Sequence, residues 1–150
     1  GERMEKLNNN VKAKDTKTLT IIKPDGMKHI DGIINMFYEN GLKINSYKLE
    51  QLTDEILEEH YSHLLDKPFY PKLRDYMMSS LVAIMVLEGE NAVEKLRALM
   101  GPTDATKAEP DTIRGRYGTD KTYNAIHGSD SDENAKREIE RFFKVKQKRI

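Results

Sequence analysis

The chain has 150 residues, 33% of them charged, with 25 Lys and Arg balanced by 25 Asp and Glu. That length suits one domain with a real core, and zero net charge argues against nucleic-acid or membrane binding built on bulk charge. There is no cysteine, which excludes disulfides, thiolate metal sites and cysteine nucleophiles.

Residues 1–16 are polar and weakly patterned. They are expected as a flexible tail, part of it a cloning remnant, ahead of a single domain over residues 17–150. The N-terminus carries no apolar signal-peptide core, and the longest apolar run, Leu81 to Leu87, is too short to span a bilayer. A soluble, cytoplasmic protein is expected.

Order should begin near Lys17. Thr18 to Lys23 reads as a strand ending at the turn Lys23-Pro-Asp-Gly26. Ile33, Ile34, Phe37 and Tyr38 recur at helical spacing, and Asn40-Gly41 is a stop signal for that helix. Leu42 to Gln51 alternates as a second strand, with Leu42, Ile44 and Ser46 on one face. Thr53 to Leu65 reads as a helix capped by Thr53 or Asp54, with Leu57, His60, Tyr61 and Leu64 on one side. Pro68 breaks it, and a short helix follows over Phe69 to Ser79.

Leu81 to Leu87 fits a buried central strand. Asn91 to Met100 is a helix ended by Gly101, and a loop of about 20 residues follows; loops of that size in a compact domain are usually functional. Asn124 to His127 is the last strand. Asp130 is expected to cap the final helix, with Glu133 at the reciprocal position and Ala135, Ile139, Phe142 and Phe143 on its core face. The basic tail Lys144 to Ile150 should fray. The order is that of an α+β, ferredoxin-like βαββαβ sandwich: a four-stranded antiparallel sheet, helices packed on it, and a helical insert after strand 2.

The segment Asn124 to Ser131 (NAIHGSDS) is the most informative. It places the imidazole of His127 at a strand end beside a helix start, whose free N–H groups attract anions. Imidazole is a nucleophile and is largely neutral at physiological pH. The pair suggests phosphoryl transfer through a phosphohistidine, although a lone strand-end histidine is more often structural. Glu138, on the shoulder of the last helix, could accept a hydrogen bond from one ring nitrogen and leave the other free.

Other candidates carry two readings each. Arg97 lies on the helical sector of Val93, Leu96 and Met100. Either its stem is buried with its head in water, or it faces a ligand. Arg114 and Arg116 could clamp phosphate or be solvated loop residues. Thr103 has a hydroxyl that could donate to phosphate, Lys23 is exposed by its turn, and Phe69 is either core or a platform for a base. His60 and His63, at i and i+3, are weak evidence for zinc. There is no Walker A or kinase-type glycine loop.

With these residues in hand, the sequence resembles the nucleoside diphosphate kinase family over roughly Thr18 to Phe143. Asn124 to Asp130 (NAIHGSD) matches the family's active-site signature. Ile22-Lys-Pro-Asp-Gly26, His60-Tyr61, Lys67-Pro-Phe69, Leu87-Glu-Gly89, Gly101-Pro-Thr103 and Thr112-Ile-Arg-Gly115 follow in the family's order.

The resemblance implies that His127 takes the γ-phosphate of a nucleoside triphosphate such as ATP and passes it to a nucleoside diphosphate, with ping-pong kinetics. It implies that Glu138 orients His127, with Ser129, Tyr61 and Lys23 close by. Lys23, Arg97, Thr103 and Arg114 would hold phosphates, Asn124 the sugar, and Phe69 and Leu73 the base. Mg2+ would be carried on the nucleotide phosphates and held by no protein ligand. A homo-oligomer, tetramer or hexamer, is implied; from the charge balance no nucleic acid or membrane partner is expected. The chain departs from the family pattern in a shortened segment between Gly26 and Gly32, where His29 or Lys28 stands nearest a missing arginine, and at Ala105, Arg116 and Lys121. A ferredoxin-like RNA-binding module would need sheet-face aromatics and a basic surface, which this composition does not offer.

Overall fold

The computed structural model describes residues 14–143. The tail expected to fray, residues 144–150, and most of the expected N-terminal tail lie outside them. Four strands, β1 (Asp15–Ile22), β2 (Lys43–Glu50), β3 (Val82–Glu90) and β4 (Ile126–Gly128), form one sheet in the order β2-β3-β1-β4. All three pairings are antiparallel. Among the described residues there are six α-helices, five between strands and one after β4: α1 (Ile30–Glu39), α2 (Asp54–His60), α3 (Tyr70–Met77), α4 (Ala92–Met100), α5 (Ile113–Tyr117) and α6 (Asp132–Phe143). This is the ferredoxin-like order, with α2 and α3 as the insert after β2. No helix among the described residues is long and apolar enough to cross a membrane.

Helices cover both faces of the sheet, so there are two apolar cores. Ile22, Met85, Leu87 and Ile126 meet Phe37 of α1 and Leu96 of α4 on one face. Leu19, Ile21 and Ile84 meet Leu57 of α2, Met77 of α3 and Phe142 of α6 on the other. That double cover explains why residues 82–87 are apolar without alternation: each side chain, odd or even, enters a core.

Several expectations are corrected. β1 starts at Asp15, two residues before Lys17, because Asp15 and Thr16 pair with Glu90 and Gly89. In α1 the buried face is Ile33, Met36 and Phe37, whereas Tyr38 is 54% exposed. In β2 the register slips between Ile44 and Ser46: Ile44 lies opposite Leu87 and Ser46 opposite Val86. Asn45 is therefore a bulge residue, and Ile44 and Ser46 point to opposite faces. Thr53 caps α2, accepting from the Ile56 N–H. The helix stops at His60, where Tyr61 leaves helical geometry (φ −108°, ψ 30°) and a 3-10 turn over Ser62–Leu64 follows.

The long loop after α4 is not structureless, since it holds a 3-10 turn (Ala105–Lys107) and α5. α6 is capped by Ser131, whose hydroxyl accepts from the Asn134 N–H at 3.1 Å, and not by Asp130. Glu133, expected to reach back to the cap, instead pairs with Arg137 one turn on.

Ile84 is fully buried on the central strand among side chains of three elements. Ile84→Ala should cost about 2–5 kcal/mol of stability, read as a lower urea midpoint with the slope unchanged.

Candidate active site

β4 is only three residues long, so its place depends on the turn beside it. The Lys23-Pro-Asp-Gly26 turn clamps Ala125, which has a left-handed backbone (φ 71°). The Ala125 N–H donates to Asp25 Oδ2 at 3.0 Å, and its carbonyl accepts from the Lys23 N–H at 2.9 Å. A Cβ on Gly26 would lie 2.3 Å from that carbonyl oxygen, so only glycine allows the approach. Asp25 also accepts from the Tyr76 hydroxyl, tying α3 to the same turn. Burial raises the Asp25 pKa, against the opposing effect of the Ala125 N–H and Lys23.

Beyond the clamp, His127 pairs with Ile21 of β1, and Thr20 Oγ1 donates to the His127 carbonyl at 2.8 Å. Directly opposed residues share a sheet face. His127 therefore points where Ile21 points, toward the core closed by α2 and α6. Gly128 points to the other side, where a Cβ would meet Met100 Sδ at 2.6 Å, which lets α4 pack close.

Glu138 reaches His127 from α6. Its Oε1 lies 2.7 Å from His127 Nε2 and accepts from Ser129 Oγ at 2.8 Å. Burial alone would raise the Glu138 pKa, but the hydrogen bond from His127, with that of the Ser129 hydroxyl, holds it below the ordinary value. A charged carboxylate on Nε2 keeps the proton there and leaves Nδ1 with its lone pair. The His127 and Glu138 side chains are only 22% and 12% exposed.

The opposite wall is cationic. The turn does not expose Lys23 as expected: the residue is 7% exposed and donates through Nζ to Asn124 Oδ1 at 2.8 Å. Burial, then the charge of Arg114, pulls the Lys23 pKa down to about 8, with Asp25 acting the other way. Arg114 donates to the carbonyls of Gly101 (3.0 Å) and Ile126 (2.8 Å), and its buried Nε has no partner among the described residues. Burial, then Arg97, lowers its pKa to about 10. Two neutral carbonyls orient this guanidinium without neutralising it, so it keeps its charge available for an anion.

These groups line one cleft of about 760 Å³. Lys23, Tyr61, Phe69, Leu73, Arg97, Thr103, Arg114, Asn124, His127 and Glu138 all border it, and Ser129 stands fully buried behind Glu138. The open readings from the sequence resolve here. Arg97 is exposed but at the cleft, beside the buried stripe of Val93, Leu96 and Met100. Phe69, 53% exposed at the cleft, is not core. Arg116 borders a separate cleft with Lys95 and Asp111, away from Arg114. Burial, then Glu138, pushes the Tyr61 phenol above its ordinary pKa, so it stays a neutral hydroxyl able to donate a hydrogen bond. The amide of Asn124 already donates to the Thr103 and Lys121 carbonyls, leaving one lone pair of Oδ1 for a ligand hydroxyl.

The helix start is less open to anions than the sequence suggests: Ser131 takes the Asn134 N–H, and the Asp130 side chain accepts from that of Asn134. Charged side chains give the cleft its positive character. His60 and Arg141 are among the wall residues that the sequence did not place in the site, because nothing in their spacing joins residues 81 positions apart. Lys72 and Lys121 also border the cleft. Among the described residues, the one three-residue group able to hold a metal is His60, His127 and Glu138. Two nitrogens and one carboxylate do not make the oxygen cage that Mg2+ prefers.

A sequence model of the family described as nucleoside diphosphate kinase matches residues 16–148. The nucleoside diphosphate kinase of Staphylothermus marinus is 45% identical over 130 residues, covering 85% of this chain and 92% of that one. That of Thermoanaerobacter pseudethanolicus is 48% identical over 128 residues, covering 84% and 95%. Among solved structures, the Aquifex aeolicus nucleoside diphosphate kinase matches with a TM-score of 0.82 at 39% identity, covering 87% of this chain and 96% of its own. A Halobacterium salinarum nucleoside diphosphate kinase, solved in complex with CDP, matches with a TM-score of 0.83 at 40% identity, covering 90% and 94%.

The buried ammonium gives a sign-specific prediction. Lys23 has a folded pKa near 8, below its unfolded 10.5. Between these values the unfolded chain binds more protons, so this group's destabilisation is full below pH 8 and is relieved as pH rises toward 10.5. The stability difference between wild type and Lys23→Met should therefore shrink across that window. Denaturation series at about pH 7, 8, 9 and 10 measure it; a constant difference contradicts the shifted ammonium.

Proposed function

The chain belongs to the nucleoside diphosphate kinase family, and we propose that His127 carries the reaction of that family, taking the terminal phosphoryl group of a nucleoside triphosphate and giving it to a nucleoside diphosphate. The observation that supports this most directly is the Glu138 carboxylate on His127 Nε2, 2.7 Å away, in a cleft walled by Lys23, Arg97 and Arg114.

In the first half-reaction the Nδ1 lone pair attacks the γ-phosphorus. The N–P bond forms, the bond to the bridging oxygen breaks, and the departing diphosphate keeps the electron pair. No proton needs to leave the nucleophile. The ring becomes cationic, and Glu138 on Nε2 balances that charge. In the second half-reaction a terminal oxygen of the incoming diphosphate attacks the same phosphorus and the neutral ring returns. One site serves both steps, so the kinetics are ping-pong. Transfer of this kind depends on positioning and charge more than on covalent chemistry. Lys23, Arg97, Arg114 and the Thr103 hydroxyl would hold phosphate oxygens, and the Tyr61 hydroxyl would donate near the transferring group.

Asn124 would accept from a sugar hydroxyl. Phe69, with Leu73 beside it, would stack on the base. Every base has a usable face, which supports broad nucleotide acceptance. Mg2+ would enter on the phosphates and supply charge neutralisation, since the cleft offers it no oxygen cage. This reading treats residues 17–150 as one domain, the cytoplasm as its compartment, and a homo-oligomer, tetramer or hexamer, as its assembly.

Incubation with γ-labelled ATP and Mg2+ should give an acid-labile, base-stable label that is absent in His127→Ala. A folded wild-type protein that takes no label contradicts the proposal. Phe69→Ala should raise KM by about tenfold, and alike for purine and pyrimidine diphosphates; a rise confined to one base would argue against stacking. Light scattering should give the mass of four or six chains, and a fully active monomer would refute the assembly.

A further inference from the structure

His60 ends α2 and lines the cleft, 7% exposed, with its ring 4.7 Å from that of His127 in an edge-to-face arrangement. Arg141 fixes its chemistry: Nη1 of Arg141 donates to His60 Nδ1 at 3.0 Å. A guanidinium can only donate, so Nδ1 must be the acceptor and the ring proton must sit on Nε2. Arg141 is itself set by Glu59, 3.4 Å from its Nε, and by its place on α6, one turn after Glu138. The charged groups facing His60 are His127, Glu138, Arg141 and His63, and burial is the largest influence, lowering its pKa to about 3. His60 is thus a neutral donor at all ordinary pH.

Among the described residues that donor has no acceptor: His60 Nε2 is buried and without a hydrogen-bond partner. A buried donor left unsatisfied loses its hydration and gains nothing in return, so such a group calls for a reason. The cleft beside it is built for phosphate. A metal on His60, His127 and Glu138 is disfavoured, because the Nε2 proton would have to leave and the Arg141 charge would oppose the cation.

We propose that Arg141 holds His60 as the Nε2–H tautomer and that this N–H donates to a phosphoryl oxygen while the group rides on His127. His60 then touches the reacting group, and Arg141 is a positioning residue acting through it. The donor is left unmatched in the free enzyme and satisfied in the phosphoenzyme, so the interaction favours the intermediate over the resting state. The inference rests on His127 being the phosphorylated residue.

The test uses the full chain, with histidines labelled in 15N, before and after phosphorylation by ATP and Mg2+. Free enzyme should show His60 protonated on Nε2 only. Phosphorylation should move the His60 Nε2 proton downfield. In single-turnover kinetics His60→Leu should slow phosphoenzyme formation about a hundredfold. His60→Gln, whose amide N–H can stand near Nε2, should recover most of that rate. In Arg141→Met the fixed His60 tautomer should be lost and the phosphorylation rate should fall, while thermal stability changes little. A wild-type phosphoenzyme whose His60 proton does not move overturns the inference and leaves the His127 mechanism standing. Equal rates in His60→Leu and His60→Gln overturn it as well. Failure of the wild type to form any phosphoenzyme removes the mechanism itself, and the inference with it.

Discussion

The hydrogen bond between His127 Nε2 and Glu138 Oε1 is the interaction on which the rest depends. It joins β4, the shortest strand, to α6, and it decides which ring nitrogen is free. The competition around Glu138 shows why the pair works. Burial disfavours its charge, yet His127 and Ser129 bind the charged form and win. A carboxylate that stays ionised while mostly buried orients the ring firmly and can balance a positive charge that develops on it. The same carboxylate in water would do neither as well.

The fold supplies the positions that this pair needs. Helices on both faces of the sheet make the side chain of His127 turn toward α2 and α6, because it shares a face with Ile21. The turn after β1 fixes the start of β4 through Asp25, Ala125 and Gly26, and delivers Lys23 to the facing wall. The loop after α4 adds Arg114, anchored on backbone carbonyls and, among the described residues, without a carboxylate partner that would cancel it. Each buried cation is costly where it stands, as the lowered pKa values of Lys23 and Arg114 show. Both cations border the same cleft, where an anion would offset that cost.

Much of this was legible in the sequence. Period-2 and period-3.6 patterns located the four strands and the main helices, and the residues around His127 with Glu138 pointed to phosphoryl chemistry. What escaped had physical reasons. The bulge at Asn45 leaves no mark in an alternating string, and it moved Ser46 to the other face. The stop of α2 at His60 is followed by residues that suit a helix, so only tertiary packing explains it. Ser131 and Asp130 are both good caps, and the geometry of Asn134 chose between them. The contact of Arg141 with His60 joins residues far apart in the chain, and no local pattern encodes it. Phe69 could have been core, and only its exposure at the cleft removed that alternative.

The central claim is that Glu138 occupies Nε2 and leaves Nδ1 as the nucleophile. Correlation of 31P with 15N by NMR in the histidine-labelled phosphoenzyme tests it most directly, because the two nitrogens are distinguished by their couplings to the ring protons. The account predicts phosphorus bonded to Nδ1 of His127, with a proton retained on Nε2. Phosphorus on Nε2 of His127, or on any other residue, would contradict it.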